Sequence, residues 1–149
     1  MLVIVTLLVV TAVFLTIFLV EKNDKSRWEK SYIGQVNDAS GVLWCVKDVY
    51  FVRTIDDKSA GEGKIWAVVT IDMAMLKDKT ISPTDFELSG VSPDTTIEGY
   101  LVSKIKAKKG ETKVIKLVFE VEESGKELKL YYGGYAVNIG SSLQGSPIQ

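Results

Sequence analysis

The sequence predicts an all-β domain, an immunoglobulin-like antiparallel β-sandwich of seven or eight strands, carried behind one long N-terminal hydrophobic α-helix. Three observations predict it. The first 20 residues hold no charged side chain, so all 18 basic and 19 acidic groups lie beyond them. From Val42 onward apolar residues recur at period two, the period of a strand with one buried face. Turn chemistry built on Gly, Pro, Asp and Ser interrupts those runs every 8 to 12 residues or so, about the spacing of short strands.

The opening stretch MLVIVTLLVVTAVFLTIFLV has only Thr6, Thr11 and Thr16 as polar residues, and their hydroxyls can bond back to a carbonyl one turn earlier. A helix of about 20 residues rises about 30 Å, the thickness of a bilayer's hydrocarbon core. In lipid an unpaired backbone costs more than the weak helix propensity of Val and Ile, so helix is the expected state. The helix is expected over residues 1–33, running through EKNDKSRWEKSYI to a C-cap at Gly34. Its membrane or assembly residues are Leu2, Val5, Leu8, Ala12, Leu15 and Leu19, with Trp28 and Tyr32 at i, i+4 turned toward the sandwich or a neighbouring subunit. Asn23, Asp24 and Ser26 are its weak point, because their side chains compete for backbone hydrogen bonds.

Three roles fit this segment. A cleaved secretory signal lacks a basic start and a small-x-small cleavage site before Glu21. The core helix of a pilin-like or archaellin-like filament subunit would carry Val5 where bacterial type IV pilins resemble one another in having Glu. A retained membrane anchor needs nothing further. Lys22, Lys25, Arg27 and Lys30 follow the run, and the positive-inside rule alone would hold that side in the cytoplasm. The surface-type composition of the remaining chain, and the resemblance described below, place the domain outside instead.

Residues 34–41, GQVNDASG, form a short polar joint, residues 42–140 the sandwich, and 141–149 a loose tail. VLWCVKDVYFVRT at 42–54 is a strand closed by the turn cluster DDKSAGEG. In KIWAVVTIDMAML, Ile65, Ala67, Val69, Ile71, Met73 and Met75 share one face, while Trp66, Val68, Thr70 and Asp72 share the other. SPTDFELSG turns into a short strand, and SPD at 92–94 turns again. After KKGE, Ile115, Leu117, Phe119 and Val121 alternate with Lys116, Val118 and Glu120. After EESGK, Leu128, Leu130 and Tyr132 alternate with Lys129 and Tyr131, and Gly133 and Gly134 bend the chain into YAVNI.

Ser82, Pro83, Asp85 and Phe86 after a long apolar strand, Gly110 and Glu111 opening Val118 to Val121, and Leu128 with Leu130 form a connected pattern. It resembles the telokin-like, immunoglobulin-like extracellular domain family of unknown function in bacterial and archaeal surface proteins and lipoproteins. The resemblance covers residues 42–139 and implies an extracytoplasmic sandwich with no known chemistry. The chain departs from it in having no lipid-attachment cysteine after the apolar run, and in IDMAMLKDKT where an Asn-rich turn is usual.

With no histidine and a single cysteine, the chain excludes histidine acid/base catalysis, Ser-His and Cys-His nucleophiles, Cys/His zinc sites and an intrachain disulfide. A net charge of -1 excludes a strongly basic nucleic-acid binder. Cys45 reads as an inert strand thiol. Asp56, Asp57 and Glu62 lack the spacing of a calcium loop and read as a solvated turn. Asp72 is a lone acid in an apolar strand, whereas a carboxylate-only glycosidase needs two. Lys104, Lys106, Lys108 and Lys109 form a basic run that either guards a sheet edge or meets an anionic polymer or lipid headgroups. Tyr131 and Tyr135, beside Tyr132, offer an aromatic surface patch. No catalytic residue, metal or cofactor is expected. The expected function is a non-catalytic cell-surface structural or binding protein, with the filament subunit as alternative. Its partners would be the lipid bilayer and either copies of itself or another envelope protein.

Overall fold

Period-two burial organises the chain from Trp28 to Leu143, the residues that the computed structural model describes. They form β1 (Glu29–Tyr32), β2 (Asn37–Asp38), β3 (Val42–Val52), β4 (Thr54–Ile55), β5 (Lys58–Ser59) and β6 (Lys64–Met75). These are followed by β7 (Lys79–Ile81), β8 (Glu87–Leu88), β9 (Ile105–Ala107), β10 (Thr112–Glu122), β11 (Leu128–Tyr132) and β12 (Tyr135–Gly140). One four-stranded sheet has the order β1-β12-β11-β8 and the other β10-β6-β3-β2, with two-stranded ribbons β4-β5 and β7-β9. One buried cluster draws on the inner faces of both sheets, so the fold is a β-sandwich.

The central strand is β6, which pairs antiparallel with β10 from Ala74↔Thr112 to Lys64↔Glu122 and with β3 from Met75↔Val42 to Trp66↔Val52. Its inner residues Ile65, Ala67, Val69, Ile71, Met73 and Met75 are all buried, as are Ile115, Leu117, Phe119 and Val121 opposite them. At one end the two sheets meet through rings. Trp44 of β3 lies edge-on to Tyr132 of β11 at 5.1 Å and to Tyr135 at 6.2 Å, and Phe86 stacks on Tyr132 at 4.4 Å. Phe86 is delivered by a single 3-10 turn over Pro83–Asp85, in which the Ser82 amide donates to Asp85 Oδ2 at 2.8 Å and Ser82 Oγ accepts from the Thr84 amide.

The outer face of β6 is not uniformly wet. Trp66 and Val68 pack with Ile55, Val118 and Ile97 into a second core. The chain over 94–101 closes it by donating from the Asp94 and Leu101 amides to the Val118 and Lys116 carbonyls of edge strand β10. Asp94 accepts from the Thr96 hydroxyl and amide and from Lys58 Nζ, whose ammonium also lies 5.5 Å from the Trp66 ring. Partial burial raises the Asp94 pKa, but the hydrogen bonds from Thr96 and Lys58 outweigh it and hold the carboxyl below its usual range.

Four expectations need correction. The described end of the predicted helix, residues 28–33, is not helical: β1 runs parallel to β12, from Glu29↔Tyr135 to Tyr32↔Asn138, and the Glu29 amide donates to the Gly134 carbonyl. Sheet pairing outweighs the local helix propensity of these residues because it buries Ser31, which donates to Asn37 Oδ1 at 2.7 Å. Residues 1–27, with Leu2, Val5, Leu8, Ala12, Leu15 and Leu19, lie outside the described residues. The joint is part of the sandwich, since β2 pairs with β3 and the Gly34 amide donates to the Val46 carbonyl. The tail starts docked: Ser141 and Ser142 are buried, and Ser142 Oγ accepts from the Ser124 amide at 2.8 Å. The sheets are also not wholly antiparallel, given β1 against β12.

Gly133 turns at φ +57 where a Cβ would stand 2.3 Å from Ala39 Cβ, while Gly134 at φ +84 has open space around it. Gly134→Ala should therefore cost about 1 kcal/mol of left-handed strain and Gly133→Ala about 2 kcal/mol more from the clash. In urea denaturation Ala39→Gly should recover most of that excess in the double variant, but nothing when paired with Gly134→Ala.

Candidate functional site

Two surface features remain once the cores are accounted for. The first is the bare half of the outer β6 face. In-register pairing places Cys45, Asp72 and Val114 in one row and Leu43, Ala74 and Thr112 in the next. With Val36 and Lys47 they line an open groove of about 500 Å³. Val36 and Val114 are exposed, and the groove is largely apolar, its polar residues being Asp72, Thr112, Lys47 and Lys113. Asp72 Oδ1 is buried without a hydrogen-bond partner among the described residues. It is the one carboxylate lining the groove, which leaves a two-acid mechanism without its second acid there.

The second feature is the end of the sandwich at which β1 begins. There the Leu76 amide donates to the Gly41 carbonyl, the Gly110 amide to the Met75 carbonyl, and the Lys109 amide to Asp78 Oδ1. Turns 39–41, 76–78, 108–111 and 133–134 thus meet at one end. A smaller cleft of about 350 Å³ opens between them, lined by Ala39, Ser40, Lys79, Thr80, Asp85, Tyr132 and Gly133. The Tyr132 hydroxyl is buried there with no partner among the described residues. Burial, aided by the Asp85 charge, pushes the Tyr132 phenol up to about 12. Tyr100, in the second core, is likewise pushed up to about 12 by burial and by its hydrogen bond with Tyr50.

The residues singled out from sequence are dispersed. Lys106 is exposed on β9, whose partner is β7, and Lys104 is exposed just before it. Lys108 and Lys109 sit in the turn at the β1 end. Sequence reasoning missed Lys77 and Lys79, which the β6–β7 turn brings beside them; only the topology joins the two turns. Tyr131 points to the outer face and meets Trp28 edge-on at 5.5 Å, whereas Tyr135 packs inward on Trp44. Tyr32 is 64% exposed, against the expectation that it would be partly buried. Cys45 is half-buried and free. Asp56 and Asp57 lie in the β4–β5 turn and Glu62 in the next, and no metal-holding group of three acids or thiols is gathered among the described residues. No helix among the described residues is long and apolar enough to cross a membrane.

No family model matches the chain, and no curated protein matches it. Among solved structures the chain is similar to ycdA of Bacillus subtilis subsp. subtilis, described as a "putative lipoprotein", at 15% identity with a TM-score of 0.58. The match covers 73% of this chain, which spans 39% of that chain's length. It is also similar to an uncharacterized β-sandwich protein of Clostridium difficile, at 14% identity and a TM-score of 0.48, covering 74% of this chain and 93% of that one. A third similar structure is yjhA of Bacillus subtilis, at 17% identity and a TM-score of 0.45, covering 74% and 86% of the two chains. Likeness at these identities is a likeness of fold.

Two outcomes follow from the buried polar groups. A phenol that ionises near 12 when folded and near 10 when unfolded contributes stability that is intact below pH 10 and is lost as pH rises from 10 to 12. Urea denaturation at pH 8 and pH 11 should show Tyr132→Phe losing roughly 1 kcal/mol less across that window than the parent chain. Asp72→Val removes the unpartnered oxygen and should raise stability by about 1 kcal/mol. The same change joins the apolar rows of the groove, and sedimentation should show the variant self-associating at concentrations where the parent stays dispersed.

Proposed function

We propose that this chain is a non-catalytic cell-surface protein, a telokin-like, immunoglobulin-like sandwich held outside the cytoplasm by an uncleaved N-terminal apolar helix. The observation that carries it is the spacing between the two parts. The uncharged run ends at Val20 and the sheet begins at Glu29, so only a short length of chain separates the domain from whatever holds the run. Eight residues from Val20 to Trp28 reach at most about 28 Å when fully extended. The description of the fold neighbour ycdA as a lipoprotein favours the same placement.

The filament alternative drew its support from a helix continuing unbroken into the sandwich. With β1 a strand, that stiff connection is gone at its C-terminal end, and the anchored reading is the better supported one. Expressed in a bacterial cell, the full chain should sediment with membranes and resist carbonate extraction. Protease added to intact cells should digest the sandwich. Deletion of residues 1–20 should leave the domain in the soluble fraction with an unchanged β-type circular dichroism spectrum. Digestion only after the membrane is opened would overturn the exported placement.

A further inference from the structure

The end of the sandwich where β1 begins differs electrostatically from the opposite end. At the far end, three of the basic groups are engaged: Arg53 pairs with Glu123 at 2.7 Å, Lys64 with Glu120 at 3.6 Å, and Lys58 with Asp94 at 3.3 Å. At the β1 end, Lys77 and the half-buried Lys79 at the start of β7 come together with Lys108 and Lys109 of the β9–β10 turn, and among the described residues none of the four is in an ion pair. The local carboxylates Asp38, Asp78, Asp85 and Glu111 keep their charge but are held by other groups, so with Lys113 counted this end carries a small positive excess. Asp78 accepts the Lys109 amide, and Glu111 takes the Lys108 amide and pairs with Lys113. Asp38 accepts the Gly41 amide and Asp85 the Ser82 amide. The stem of Lys77 lies along Gly41, and beside it Leu76 is 50% exposed at the tip of its turn.

Charge complementarity and chain length together name the occupant. We infer that this end is a membrane-apposed surface, with Lys77, Lys79, Lys108 and Lys109 meeting anionic headgroups and Leu76 entering the interface between them. The inference rests on the anchored reading above. Trp28 stands at this end, because the Glu29 amide bonds the Gly134 carbonyl and the Trp28 ring meets Tyr131. The last residue of the apolar run is therefore at most about 28 Å from it along the chain. Four lysines within about 10 Å of an anionic surface act inside the Debye length, where each is worth roughly a fivefold change in occupancy. The surface does not hold the protein on the membrane; it sets the domain upright on it, which leaves the apolar groove accessible from the side.

The test uses the full chain with Cys45→Ser as background and a single fluorophore placed by Leu76→Cys or, about 40 Å away at the other end of β6, by Glu62→Cys. The chain is reconstituted in vesicles of phosphatidylcholine alone or with phosphatidylglycerol added, each carrying a headgroup nitroxide lipid as quencher. The expected result is strong quenching at position 76 and none at 62 in the anionic vesicles. Occupancy of the quenched state should fall at least tenfold in phosphatidylcholine alone. It should fall equally when Lys77, Lys79, Lys108 and Lys109 are changed to Gln, and not when Lys47, Lys104, Lys116 and Lys126 are. Failure of the chain to float with vesicles would overturn both the anchored reading and this one. Flotation with no quenching at 76, or with quenching indifferent to lipid charge and to the four lysines, would overturn this inference alone. Shielding of position 76 by a second labelled copy, in both kinds of vesicle, would also overturn it and assign the end to self-association.

Discussion

The sandwich depends on β6 being satisfied on every side. Both of its edges are hydrogen-bonded over eleven or so residues, and its inner face carries six apolar side chains into the space between the sheets. Any one of those terms is small; together they fix register, because a slip of one residue would turn Ile65 to Met75 outward and bring Asp72 into the core. The remaining strands then have little freedom. Trp44, paired with Met73, must lie over the gap that Tyr132 and Phe86 fill from the other sheet. The 3-10 turn after Ser82 is the device that puts Phe86 there.

The same strand explains why the surface is uneven. From Trp66 to Thr70 its outer face is buried, because the chain from 94 to 101 crosses over it and caps the free edge of β10. Beyond Thr70 nothing among the described residues crosses, and the rows containing Cys45 and Ala74 stay bare. Asp72 sits where that bare strip would otherwise be continuous. Its carboxylate, with one oxygen unpartnered among the described residues, interrupts an apolar strip along which two such faces would otherwise adhere, a familiar use of a charge on an exposed sheet.

Most of the large strands were legible in the sequence: β6, β10 and β11 alternate, and the inner residues named from that period are buried, while β3 and β12 were legible as apolar runs bounded by turns. What escaped were elements whose identity comes from partners. Glu29–Tyr32 contains good helix formers and no alternation, and only the free edge of β12 makes it a strand. The dual burial of β6 was half legible, since Trp66 and Val68 were seen as a second apolar face but the loop that covers them was not. Lysines adjacent in sequence at 104 to 109 drew attention as a run. Their grouping in space is different, since Lys108 and Lys109 join Lys77 and Lys79 across two turns about 30 residues apart in sequence, a proximity created by the β7-β9 ribbon.

The direction of β1 is the last link between fold and placement. Had β1 paired antiparallel with β12, the chain would enter beside Gly140 and the β10–β11 turn, among Glu122, Glu123 and Glu127. An anionic surface would repel that end. The parallel register, pinned by the Glu29 amide on Gly134 and by Ser31 on Asn37, instead starts the domain at the end carrying four lysines free of ion pairs among the described residues. A four-residue strand thus decides which charges lie at the end where the described chain begins. This is why β1, though it contributes little to the core, bears on the proposed orientation of the domain more than any longer strand does.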